Sequence, residues 1–191
     1  VKYTFALIVL FACSASCLLQ AQTAGSSAPA AAQAAAPVKD PVTAGLRTLL
    51  PLRRSNTLDA VSAMPADKFG YKPTPDQMSF AHLVVHMIEF HNSFCAKAAG
   101  VPAPKVEESK ETDSKDKLQA GLTASFDFCA DALGKMDDSK LGDSIDLFHG
   151  RQGPRAMADL ILASGWADHY ATAAMYLRLN GILPPSAQPK K

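Results

Sequence analysis

The sequence predicts an all-α fold, a four-helix bundle with long connections. Three observations predict it. Four segments repeat their apolar residues at spacings of three and four, the mark of a helix with one buried face. Their ends carry helix punctuation: Asp40-Pro41 before the first, Gly100 after the second, and Gly181 with Pro184-Pro185 after the fourth. Between them no convincing alternation of strand type stands out, and no segment repeats another.

Ahead of the helices lies a stretch of different character. Lys2 supplies a short basic start, and Phe5 to Leu19 is apolar apart from Ser14 and Ser16. Gln20-Ala21 then offers a small residue for cleavage, so residues 1–21 read as a secretory signal and the chain as exported, periplasmic or secreted. The alternative is a membrane anchor, but the run is short for a bilayer span of about 20 residues. Membrane contact is therefore expected only through the uncleaved signal. A lipoprotein would use Cys13 or Cys17, and Phe11 and Ser14 ahead of them suit that processing poorly. Residues 22–42 read as a disordered linker rich in Ala, Pro and Gln, with no large apolar residue before Val38 to offset the entropy of ordering. The bundle is expected over 43–186, followed by a short tail, 187–191.

The first helix is predicted from Asp40-Pro41 to Met64-Pro65, with Leu46, Leu49, Leu50, Leu58 and Val61 on its buried side. Pro51 should kink or break it, because proline has no N–H and crowds the preceding turn. Residues 66–77 form a loop stiffened by Pro73 and Pro75. The second helix is predicted from Pro75 or Asp76 to Ala99. Phe80, Leu83, Met87, Phe90 and Phe94 make a core stripe; Ser79, His82, His86, Glu89 and Ser93 make a polar stripe beside it. A charged, solvated connection leads to a third helix over roughly 115–136, with Leu118, Leu122, Phe126, Cys129, Leu133 and Met136 on one face. Residues 137–155 read as a long connection pinned by Ile145, Leu147 and Phe148. The fourth helix runs from about Arg155 to Asn180, with Leu162, Trp166, His169, Ala173 and Tyr176 sharing a face.

If Cys13 and Cys17 leave with the signal, Cys95 and Cys129 remain. In an oxidising compartment they are a candidate disulfide; the alternative is two small buried apolar residues. A Cα separation within about 7 Å would permit the bond.

His82 and His86 are four apart and stack on one helical face, with Glu89 three residues beyond. Imidazole and carboxylate suit a divalent ion such as zinc or nickel, and His169 could complete the set from the fourth helix. Asp168 points about 100° from its neighbour, and His91 and His149 fall off the stripe. Glu89 is the one candidate catalytic base; the alternative is a solvated helix charge. A satisfied core or boundary histidine is the ordinary alternative to a ligand at each of these positions.

The runs Tyr71-Lys72-Pro73-Thr74-Pro75, Ser79-Phe80-Ala81-His82-Leu83-Val84-Val85-His86 and Phe94-Cys95 resemble the opening of the DinB-like superfamily. His169-Tyr170 and Tyr176-Leu177-Arg178-Leu179-Asn180-Gly181-Ile182-Leu183-Pro184-Pro185 resemble its closing helix. The resemblance covers about residues 43–186. It implies a four-helix bundle in up-down-down-up order. It also implies, for many members, a divalent metal held by one histidine of the second helix and two of the last at i and i+4; some members are thiol transferases. Carried onto this chain, the ligands are His86 and His169, while the remaining family histidine falls on Gly165, which has no side chain. Either metal binding is lost, or His82 or Glu89 replaces the missing ligand. A bound metal would leave a position for water or a thiol and imply thiol-transferase or hydrolase-type chemistry. Without it, the bundle would bind a small molecule or a protein partner in the old cleft.

Other classes are excluded by what the chain lacks. A net charge of +1 gives no basic surface for nucleic acid. There is no phosphate-binding glycine loop and no paired-cysteine zinc motif. Ser164-Gly165-Trp166 lacks the strand-to-helix setting of a nucleophile elbow.

Overall fold

The computed structural model describes residues 36–189. The expected signal, 1–21, and the linker up to residue 35 lie outside the described residues. Among the described residues there are four α-helices: α1 (Pro41–Ala63), α2 (Phe80–Ala99), α3 (Lys115–Gly134) and α4 (Arg155–Leu179). α1 and α2 each pack on both α3 and α4, so α1 stands diagonally opposite α2, and α3 opposite α4. The core at their centre holds Phe80, Leu83, Met87, Leu118, Leu122, Phe126, Leu133, Leu162, Trp166 and Tyr176, all essentially inaccessible. Each such aliphatic side chain contributes about 1.5–3 kcal/mol of burial. No helix among the described residues is long and apolar enough to cross a membrane.

Three local expectations need correction. Pro51 neither breaks nor ends α1, which runs through it. Pro51 sits at an exposed position, and burial of Leu46, Leu50, Ala60 and Val61 on either side keeps both halves of the helix packed on the core. α2 begins at Phe80, one turn later than Pro75 or Asp76 suggested. Its cap is Ser79, whose Oγ accepts the N–H of His82 at 3.0 Å. The third correction concerns 137–155, which includes a β-hairpin: β1 (Ser144–Phe148) pairs antiparallel with β2 (Arg151–Pro154). His149 and Gly150 make its two-residue turn at φ 44° and 85°, the double positive φ that matches strand twist. With only four and five residues the strands are too short for their alternation to stand out.

The start of α1 is capped from a distance. Asp40 takes a left-handed backbone at φ 50° and makes no side-chain cap. Instead the Asp138 carboxylate accepts the N–H groups of Val42 and Thr43, both at 2.9 Å, and the Thr43 hydroxyl at 2.7 Å. These bonds hold the Asp138 carboxyl below its ordinary pKa, against the upward pull of desolvation, the largest influence on it. Arg47 returns the arrangement, donating to the carbonyls of Leu133, Gly134 and Met136 at the end of α3. Gly100 closes α2 at φ 66°, and Arg155 Nη1 donates to the Lys97 carbonyl at 2.8 Å. The positive φ favours glycine there, and a Cβ on Gly100 would also displace the Arg155 guanidinium, which stands 2.6 Å from that position. Cys95 of α2 and Cys129 of α3 stand at disulfide distance, with Cα atoms 5.2 Å apart.

Candidate functional site

The candidate site lies where α2 and α4 face each other. On α2, His86 and Phe90 are one turn apart; on α4, Gly165 and His169 are one turn apart. The two helices bring the rings of His86 and His169 edge to face, with centroids 4.9 Å apart. Two residues separated by 83 positions in sequence therefore share one site. His169 is buried while His86 remains exposed to the cleft. His169 Nδ1 is enclosed without a hydrogen-bond partner among the described residues. Burial first, and then the neighbouring His86, push the pKa of His169 down to about 4, although Asp168 pulls it upward. The imidazole is neutral at pH 7.

Phe90 decides what else can enter. Its ring packs edge to face against His169, centroids 4.7 Å apart, and lies tilted by 30° against Phe94 at 4.8 Å. It also covers Gly165. A Cβ at position 165 would meet the Phe90 ring through Cζ, Cε1 and Cε2, the last two at 2.6 and 3.0 Å. Real Cβ atoms do not approach so closely. The volume that a side chain at 165 would need is occupied by an aromatic ring.

A cleft of about 850 Å³ opens over this pair. α2 lines it with His86, Glu89, Phe90, Ser93 and Phe94, and α4 with Ile161, Ser164, Gly165, Asp168 and His169. The β-hairpin adds Phe148 and His149. Phe148 packs on Phe94 at 5.2 Å, so the hairpin forms one wall. A second cleft of about 400 Å³ shares His86, Asp168 and His169 and is otherwise lined by residues such as Asp76, Met78 and Met175. The imidazole pair stands between the two.

His82 is not brought to the site. Its Nδ1 lies 3.3 Å from Glu111 Oε2, in the connection before α3, and Ser79 Oγ donates to the same carboxylate oxygen at 3.0 Å. One helical turn of axial displacement separates His82 from His86, and Glu111 offers it a nearer partner. Glu89 lines the large cleft. Among the described residues, no three or more His, Cys, Asp or Glu side chains gather as metal ligands would. The donors facing each other are the imidazoles of His86 and His169, short of the three protein ligands usual in a catalytic zinc site. The residues present do not fit a three-histidine centre.

Sequence reasoning missed four participants. Phe90 belongs by spacing to the core stripe, yet it is only partly buried and turns toward α4. Phe148 and His149 reach the cleft only through the hairpin, whose His149-Gly150 turn was the available signal. Asp168 points away from His169 along the helix, but the cleft is wide enough to include both. Beneath the site, His91 is 1% exposed, and its Nδ1 lies 3.0 Å from Ser125 Oγ. The Ser125 hydroxyl donates to the Leu122 carbonyl at 2.8 Å, which leaves its oxygen to accept from His91 Nδ1–H. Burial, followed by the charges that His169 and His86 could carry, depresses the His91 pKa to about 3.

The comparisons with known proteins agree with this architecture. The family model described as the DinB superfamily matches residues 49–171. A DinB-like protein of Bacillus cereus ATCC 10987 is similar in structure with a TM-score of 0.61 at 16% identity, over 74% of this chain and 95% of that one. A DinB-like protein of Bacillus subtilis, YjoA, is similar with a TM-score of 0.60 at 20% identity, over 76% of this chain and 99% of that one. No curated protein matches the chain. With four helices arranged around an imidazole pair and a family match across most of the bundle, the chain belongs to the DinB superfamily.

Proposed function

We propose that this chain is an exported DinB-superfamily bundle that binds a small molecule in the cleft between α2 and α4, without a three-histidine metal centre. The observation that carries this reading is the Phe90 ring in the space that a side chain at 165 would need. Loss of a ligand by substitution to glycine could leave a hole for water. Here the hole is filled by an apolar ring packed on His169 and Phe94. Thiol-transferase or hydrolase chemistry would depend on an ion to activate water or thiol, and the donors present do not fit such a centre. A cleft of about 850 Å³ with mixed aromatic and polar lining is of the size that takes small ligands. Export is supported by the basic-then-apolar start of the chain, and by the Cys95–Cys129 pair at bonding distance, which suits an oxidising compartment.

The test is a calorimetric titration of the purified, chelator-treated chain with Zn²⁺ and with Ni²⁺. The expected result is no stoichiometric binding at micromolar concentration, and no change in thermal midpoint on adding either ion. One equivalent of either ion bound at micromolar concentration, and lost in both His86→Ala and His169→Ala, would overturn the reading.

A further inference from the structure

The lining of the cleft names a ligand class, an inference that rests on the small-molecule reading above. Three rings form a continuous wall: Phe90 against Phe94 at 4.8 Å, and Phe94 against Phe148 at 5.2 Å. Two carboxylates, Glu89 and Asp168, come from the two facing helices. Among the described residues no lysine or arginine lines either this cleft or the adjoining one, and the adjoining one adds a third carboxylate, Asp76. Lys97 and Arg155 line a neighbouring cleft that shares Ser93 and are engaged with backbone carbonyls, while Arg151, two residues beyond His149, is in neither lining. Lys97 donates to the Asp146 carbonyl at 2.7 Å, and Arg155 to the Lys97 carbonyl. Glu89 and Asp168 have no ion-pair partner among the described residues.

A carboxylate-bearing cleft with an aromatic wall and neither lysine nor arginine in its lining disfavours anions and gives neutral molecules no electrostatic gain. A ligand that joins a positive charge to an apolar group gains twice, its charge from the carboxylates and its apolar part from burial against the rings. We propose that the cleft binds an organic cation carrying an apolar ring or chain, its ammonium group placed between Glu89 and Asp168 and its apolar part laid on Phe90, Phe94 and Phe148. The hairpin is part of the site, because Phe148 and His149 reach the cleft from its tip. The opposite carboxylates fix where the charge sits, and the phenyl wall selects for an apolar substituent over a bare ammonium ion.

The experiment compares three ligands on one framework: 2-phenylethylamine, 2-phenylethanol and phenylacetate, which are cationic, neutral and anionic at pH 7. Binding to the full chain is measured by calorimetry at low and high salt. The amine is expected to bind about tenfold tighter than the alcohol, with the anion weakest and with the amine's advantage shrinking as salt rises. Glu89→Gln and Asp168→Asn, both at exposed positions, should each weaken the amine about two- to fivefold and leave the alcohol unchanged. Equal or tighter binding of the alcohol or the anion overturns the inference while leaving small-molecule binding in place. Absence of amine binding, or an affinity indifferent to both substitutions, overturns it as well. Stoichiometric Zn²⁺ or Ni²⁺ in the separate titration would instead strike at the reading beneath it.

Discussion

The Phe90 ring of α2 stands within close contact of the position that a Cβ on Gly165 of α4 would take. The glycine and the ring are complementary: one vacates the space that the other fills. This single relationship separates the bundle from one that could hold a third ligand at 165, and it can be tested by restoring a side chain.

Gly165→Ala opposes two effects. Alanine improves helix propensity over glycine by about 1 kcal/mol. Forcing a methyl into the Phe90 ring costs about 1–3 kcal/mol of overpacking or displaced stacking. The second effect should win, giving a net loss of about 1 kcal/mol in denaturant unfolding. Phe90→Ala in the same chain should remove the clash, so the double-mutant cycle should show a coupling of about 0.5–3 kcal/mol. Strictly additive effects would mean that the ring and the glycine do not share that space.

Cys95 and Cys129 close a loop across α2 and α3 with a sequence separation of 34. A bond there should stabilise the chain by about 2–4 kcal/mol, mostly by constraining the unfolded state. Thermal midpoints with and without reductant should differ by about 4–16 °C at the usual scaling for a domain of this size. Thiol titration of the denatured, unreduced chain with Cys13 and Cys17 replaced by serine should find neither remaining cysteine free; two reactive thiols would refute the bond.

Acid should weaken the fold through His91 and His169. An imidazole takes its proton near its ordinary 6.5 when unfolded, but only near 3 for His91 and near 4 for His169 when folded. Between those values the unfolded chain holds more protons, so stability falls as pH drops from about 6.5. Each group contributes a loss of about 1.4 kcal/mol per pH unit within its window. His91→Gln keeps a donor for Ser125 Oγ and cannot be protonated there. Its urea midpoint should therefore fall less between pH 7 and pH 4.5 than that of the parent chain, and parallel pH profiles would contradict the assignment.

Asp159 carries the opposite sign. Both of its carboxylate oxygens are buried without a hydrogen-bond partner among the described residues. Burial, and then Asp138, raise its pKa from 3.8 to about 6, while Arg155 pulls it down. The folded chain therefore holds more protons between about pH 4 and pH 6, and stability from this group declines as pH rises through that window. Asp159→Asn removes the charge. It should stabilise the chain by about 1–3 kcal/mol at pH 7.5 and by much less at pH 4. An equal effect at both pH values would show that the carboxyl is not the source.

Much of the bundle was legible from residue order. The four helices, the Gly100 and Gly181 stops at φ 66° and 72°, and the buried face of α4 through Leu162, Trp166, His169, Ala173 and Tyr176 follow from periodicity and turn chemistry. So did the meeting of His86 with His169, through resemblance to the family. The cap of α1 was not legible, because it comes from Asp138, some 95 residues away. Nor was the fate of His82, which shares a helical face with His86 but turns to Glu111 in a connection whose path no periodicity encodes.

Residue order by itself determined that there are four helices, where α2 and α4 stop, which faces are apolar, and that position 165 offers no donor. Those properties are local, set by backbone dihedrals and by side-chain spacing within a few turns. Only the tertiary structure decided that the space beside Gly165 belongs to Phe90, that a hairpin brings Phe148 and His149 to the same cleft, and that His82 stays outside it. Each of these depends on which surface faces another after packing, and close packing assigns a given volume to one side chain only.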